Sequence, residues 1–184
     1  TNVTSATFTF SADEDAGFEC SLDAAAFEAC SSGVGYTALA EGDYTLRVRA
    51  TDAAGNVETE AASFSWTVDT TAPETTIAEG PPAQTNDSTP SFGLAATESE
   101  STFECSLDAG EWESCGSTYT TALLADGAHT LRARATDPAG NTDQSAAVHP
   151  FTVDTVAPET TIDSGPPPFT NDSTPSVTVS ASQA

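Results

Sequence analysis

The chain has 184 residues, and its 28 aspartates and glutamates stand against four arginines, no lysine and two histidines, for a formal net charge of −24. That balance excludes a nucleic-acid partner, because binding one depends on basic side chains that neutralise phosphates and release their counterions. No apolar run approaches the ~20 residues of a membrane span, and without an initiator methionine or signal segment the sequence reads as a mature or excised piece.

The first expected strand, ATFTFSA, places Phe8 and Phe10 two apart with polar residues between, the period of a half-buried β-strand. In the next, FECSLD, Phe18, Cys20 and Leu22 share one face. Cys20 and Cys30 bracket a short hairpin, and Cys105 and Cys115 repeat the arrangement; no companion Cys or His stands at zinc spacing, so two disulfides are expected. Each closes a short loop worth roughly 3 kcal/mol in the chain-entropy model and implies an oxidising compartment outside the cytosol. YTLRVRATD then turns Tyr44, Leu46, Val48 and Ala50 inward and Arg47 and Arg49 outward, and ASFSWTVD supplies a further strand with Trp66 inside.

After these the pattern starts again. Cys20 and Cys105, Arg47 and Arg132, Asp52 and Asp137, and Asp69 and Asp154 are each 85 residues apart, and a fixed period means an array. The openings TNVTSATFTFSA, TNDSTPSFGLAA and TNDSTPSVTVSA begin at Thr1, Thr85 and Thr170, and Pro- and Gly-punctuated linkers run from Val68 to Pro82 and from Val153 to Pro167. Three parts are expected: residues 1–71, a repeat lacking its first strand; residues 72–154, a complete repeat; and residues 155–184, the opening strands of a third.

No window has helical periodicity, and short alternating strands joined by DG, GD, AGN and PP signals describe a sandwich or barrel. LAEGDYTL and LADGAHTL narrow that choice. Tyr44 or His129 enters a strand two residues before a core-facing Leu, much as in the tyrosine corner of immunoglobulin folds. The fold class is therefore all-β, with tandem immunoglobulin-like β-sandwich domains.

FECSLD, the LRxRATDxAGN turn and the FTVDTxAPETTI junction together resemble the bacterial Ig-like repeats of large secreted or surface-anchored adhesins and stalk proteins, over the whole chain. The resemblance implies non-catalytic spacers or interaction modules, in several relatives with junction aspartates that bind stiffening calcium. Pairing of Cys within a short hairpin departs from the inter-sheet disulfide of antibody domains, so antibody-type function is not implied.

Calcium is the sharpest chemical expectation, with Asp52, Asn56 and Asp69 in the first unit and Asp137, Asn141 and Asp154 in the second as hard oxygen ligands. An Asx turn closed by Asp52 or Asp137 explains the same residues without metal. Sequons at Asn2, Asn86 and Asn171 permit glycosylation, although Asn also serves simply as a turn former.

Enzymatic motifs are missing. There is no nucleophile elbow, P-loop or HExxH, and Tyr44 and Phe64 stand where the second unit has His129 and His149. The sequence points to an extracellular or cell-surface structural array, the stalk or spacer of an adhesin. Its partners would be neighbouring repeats or copies of itself, with cell-surface or matrix ligands left to other domains. The alternatives are a filament assembled by strand exchange between Ig-like domains and a carbohydrate-binding accessory module.

Overall fold

The computed structural model describes residues 1–182, and every regular element among them is a β-strand. The first unit contains β1 (Ala6–Phe8), β2 (Ala16–Leu22), β3 (Glu28–Cys30), β4 (Val34–Tyr36), β5 (Gly42–Asp52) and β6 (Ala62–Val68). They form a two-stranded ribbon, β1-β4, facing a four-stranded sheet in the order β3-β2-β5-β6. The second unit adds β7 (Thr75–Glu79) and β8 (Gln84–Thr85) ahead of β9 (Ser91–Ala96), β10 (Thr102–Leu107), β11 (Glu113–Cys115), β12 (Thr118–Thr120), β13 (Gly127–Thr136) and β14 (Ala147–Val153). Here a three-stranded sheet, β12-β9-β7, lies against a five-stranded one, β11-β10-β13-β14-β8. Beyond them β15 (Thr160–Ser164) and β16 (Thr178–Ala181) make an antiparallel pair with Thr160 opposite Ala181 and Ile162 opposite Val179.

Alternation of side chains explains which residues meet. Leu46 and Val48 on β5 are buried while Arg47 is exposed; on β13, Leu131, Ala133 and Ala135 are buried and Arg132 is exposed. The register carries the repeat faithfully: Cys20 faces Val48 as Cys105 faces Ala133.

Both cysteine hairpins are closed by disulfides, Cys20 to Cys30 and Cys105 to Cys115. Each hairpin turns through two residues of positive φ, Asp23 and Ala24 in the first unit and Asp108 and Ala109 in the second. A left-handed pair suits the twist of a tight hairpin, and the aspartate pays for it: Asp23 Oδ1 accepts the Thr45 N–H at 2.8 Å and Asp108 Oδ1 the Thr130 N–H at 2.9 Å.

The corner at the start of β5 and β13 is built as the sequence suggested, with one change of chemistry. Tyr44 donates its hydroxyl to the Ala40 carbonyl at 2.9 Å, and His129 uses Nε2 toward the Ala125 carbonyl at the same distance. Nδ1 of His129 meets Asp108 Oδ2 at 2.7 Å, so both ring nitrogens face pure acceptors and the imidazolium form satisfies both. The Ala125 carbonyl first, and then the Asp108 hydrogen bond, accordingly raise the His129 pKa. For Asp108 burial works upward, but the hydrogen bonds from His129 and Thr130 and the imidazolium charge outweigh it and lower the pKa.

Candidate functional site

Strand β5 fixes where the expected calcium ligands go. Gly42 pairs with Val68 at one end of it, and Asp52 lies at the other end, ten steps away, or about 33 Å by strand rise. Asp69 follows Val68 directly, so Asp52 and Asn56 are at the opposite pole of the unit from Asp69. The second unit separates Asp137 and Asn141 from Asp154 in the same way, since Gly127 pairs with Val153. The two intra-unit ligand sets are therefore not assembled, because a strand as long as the domain stands between their members.

At the free pole of the first unit, Asp52 closes an Asx turn. Its Oδ1 accepts the Ala54 and Asn56 N–H groups, each at 2.8 Å, and its Oδ2 accepts Asn56 Nδ2 at 2.6 Å. Gly55 supplies the left-handed residue at φ +90°. Hydrogen bonds from Asn56, side chain first, lower the Asp52 pKa.

Asp137 closes the same turn in the second unit, where the turn is packed against the end of the first. Asn2 donates its N–H to the Ala139 carbonyl at 3.2 Å, and Asn141 Nδ2 donates both to Asp137 Oδ2 at 2.7 Å and across the junction to the Asp69 carbonyl at 2.9 Å. Asp137 is buried at 5% exposure. Burial favours its neutral form, yet the bonds from Asn141 and Gly140 outweigh that and lower its pKa.

The tertiary arrangement thus regroups the aspartates. Asp69 of the first unit meets Asp137 and Glu98 of the second, one carboxylate oxygen from each lying within 4.8 Å of the others. Burial first, then the charges of Asp69, Asp137 and Glu41, raise the Glu98 pKa. Glu41 is anchored nearby: its Oε2 accepts the hydroxyls of Thr70 at 3.0 Å and Thr71 at 2.8 Å, and these bonds lower its pKa. A hard-oxygen, uniformly anionic cluster fits a calcium ion in chemistry. Asp137 Oδ2 keeps one lone pair free beside its bond from Asn141, and Oδ1 is filled by Gly140 and Asn141 N–H groups at 2.6 and 2.9 Å.

Sequence reasoning missed Glu98 and Glu41. A signal for Glu98 existed, since Asp13 stands 85 residues before it, but a lone acid on a turn does not announce a partner in another unit. Of the sequons, Asn86 and Asn171 are exposed, and Asn2 sits at the junction with its amide about 3.4 Å from where a Cβ on Gly140 would be.

Arg49, Arg132, Arg134, Trp112 and His149 are occupied structurally. Arg49 pairs with Glu19 at 2.7 Å and Arg134 with Glu104 at 2.8 Å. Arg132 and Arg134 also cover the Trp112 ring at 5.5 and 4.5 Å, which keeps that face from serving as a sugar platform. His149 bonds the Pro81 carbonyl through Nε2 at 2.9 Å. No helix among the described residues is long and apolar enough to cross a membrane.

The model of the bacterial Ig-like domain family matches residues 1–70 and again 78–155, and the chain belongs to that family. No curated protein matches it. Among solved structures, the fibronectin(III)-like modules of Clostridium thermocellum CbhA are 13% identical, with 81% of this chain and 84% of that one covered at a TM-score of 0.46. A tetra-tandem repeat from the extending region of a large adhesion protein is 19% identical, covering 89% of this chain and 46% of its own, at 0.38. A Ca2+-stabilized adhesin that helps an Antarctic bacterium reach out and bind ice is 17% identical, covering 83% and 45%, at 0.35. The chain spans somewhat under half the length of the last two.

Proposed function

We propose, from the chain's membership of the bacterial Ig-like domain family, that it is a structural, non-catalytic stretch of an extracellular array, serving as stalk or spacer in a cell-surface adhesin. The observation that carries this reading is the junction. The second unit grips the end of the first through Asn2 to Ala139 and Asn141 to Asp69, bonds that oppose bending between units. Disulfides in both units suit an oxidising exterior, where each lowers the entropy of the unfolded chain. The high net charge keeps such an array soluble while making its units repel one another.

Calcium belongs to the same proposal. Asp69, Glu98 and Asp137 would hold the ion between units, relieving the mutual repulsion of three carboxylates and adding a cross-link where bending would occur. Small-angle scattering of the chain tests both parts. A stiff array gives about 40 Å per body unit along one axis, and a hinged or folded-back pair of units would overturn the spacer reading. Chelation is expected to broaden the distance distribution and lower the melting temperature; if neither changes, calcium is not part of the joint.

A further inference from the structure

We propose that the second unit bears axial load through the edge where its chain enters and leaves, and that its disulfide lies off that path. The disulfide is idle until the edge gives, and then limits how far the chain extends. This inference rests on the array reading, in which tension reaches a unit through its two ends.

Sheet topology sets the direction of that tension. β13 runs from Gly127, at the pole far from the first unit, to Thr136 beside the Asp137 turn at the junction, and β14 runs back, with Val153 opposite Gly127. β8 is parallel to β14, with Gln84 beside Thr152 and Thr85 beside Val153. Load from the first unit therefore draws the β7 and β8 segment toward the junction, while load from the other side draws β14 away from it. The two are pulled lengthwise past each other. Bonds between them lie across the force and must stretch together rather than open in turn.

Those bonds sit at both ends of the path. At the exit, the Thr152 N–H donates to the Ala83 carbonyl and the Asp154 N–H to the Thr85 carbonyl, each at 2.9 Å. At the entrance, buried Thr75 donates its N–H to Asp143 Oδ2 at 2.9 Å, and its hydroxyl oxygen accepts the Ala135 N–H at 2.8 Å. Asp143 Oδ1 is held in turn by the Ser145 N–H and hydroxyl at 2.7 and 2.8 Å, so the pin is fixed to the loop that leads into β14. Pro150 agrees with this layout. Its missing N–H falls on the side of the strand that Thr152 and Asp154 turn toward β8, two residues before that pairing begins, so no bond to β13 is lost.

The disulfide occupies the opposite edge. In the sheet β11-β10-β13-β14-β8, Cys105 and Cys115 tie β10 to β11, and β13 stands between them and the loaded strand. Its stabilisation acts on the unfolded chain, which leaves the barrier to forced unfolding where it was. Once the edge slips, the bond withholds the loop between its cysteines, about 3 nm of extended chain.

Force spectroscopy of the oxidised chain, tethered by its termini, tests this. The second unit is the longer of the two extension steps, since β7 to β14 covers more residues than β1 to β6. Cys105→Ala with Cys115→Ala should lengthen that step by about 3 nm and leave its peak force unchanged. Thr152→Pro should lower the peak force and leave the step length alone. Tethering at an Ala128→Cys anchor and the C-terminus opens the β13 and β14 ladder pair by pair from its Gly127 end, and the peak should fall severalfold. Equal peaks for the two tethers overturn the proposal, as does a peak that falls with the cysteines or one indifferent to Thr152→Pro. A hinged pair of units in scattering would sink the stalk reading alone, because these forces are read on one unit.

Discussion

The two bodies share the same repeat motifs and end with different cores. In the second, Phe92, Leu94, Phe103, Cys105, Leu131, Ala133, Ala135, Phe151 and Val153 form one buried cluster; in the first, the buried cluster is Cys20, Leu46 and Val48, with Phe8, Phe10, Phe18 and Trp66 packed against it half covered. The equivalent strands, hairpins and disulfides are all there. What the first unit lacks is β7 and β8, a few residues that close one edge of the sandwich, bury Thr75 and turn the Phe92 side chain into a fully enclosed one. In a small sandwich an edge strand is thus a lid on the core, and its loss is felt several side chains deep.

Removing the disulfides should widen this difference most. Replacing Cys20 and Cys30 by Ala removes about 3 kcal/mol from a unit with little core to spare, and calorimetry should show its transition lost at room temperature. The same change at Cys105 and Cys115 should lower the second transition without abolishing it. Thr75→Ala attacks the lid directly. It strands the buried Ala135 N–H, at a cost of about 2 kcal/mol, and should move the second unit's melting toward that of the first, which Glu58 protects at Ala50.

A smaller divergence should follow pH. The folded pKa of His129 lies above its unfolded value near 6.5, so its contribution is complete below about pH 6.5 and is lost as pH rises through the folded value. Asp108, with its pKa lowered, gives a contribution that is present above its unfolded value near 3.8 and lost as pH falls through the depressed one. The second unit's melting temperature should therefore fall between neutral and mildly alkaline pH while the first unit's, with a Tyr44 hydroxyl in that role, stays level; His129→Tyr should remove the slope. The smallest effect should come from Ala24→Gly and Ala109→Gly. Each relieves a left-handed alanine and should raise the corresponding transition by ~0.5–1 kcal/mol, measured by denaturant unfolding.

Much of the molecule was readable in advance where the code is local. The hairpin cysteines, the alternation along β5 and β13 and the corner at Tyr44 and His129 each depend on residues close in sequence or at a fixed strand register. The candidate calcium ligands were readable as types but not as a set. The sequence groups Asp69 with Asp52 and Asn56 because they share a unit, and a turn motif carries no information about which pole of the sandwich it occupies.

The sequence by itself determined an all-β, disulfide-closed repeat of Ig-like units with the acids and turns placed at fixed intervals, because strand period, turn chemistry and repeat spacing are properties of neighbours along the chain. Only the tertiary structure decided that Asp69 meets Glu98 and Asp137 across the junction, and that one body is sealed while the other is open. Strands about as long as the domain send consecutive turns to opposite poles, so the carboxylates that end up together belong to different units, and which edges remain uncovered depends on what packs there.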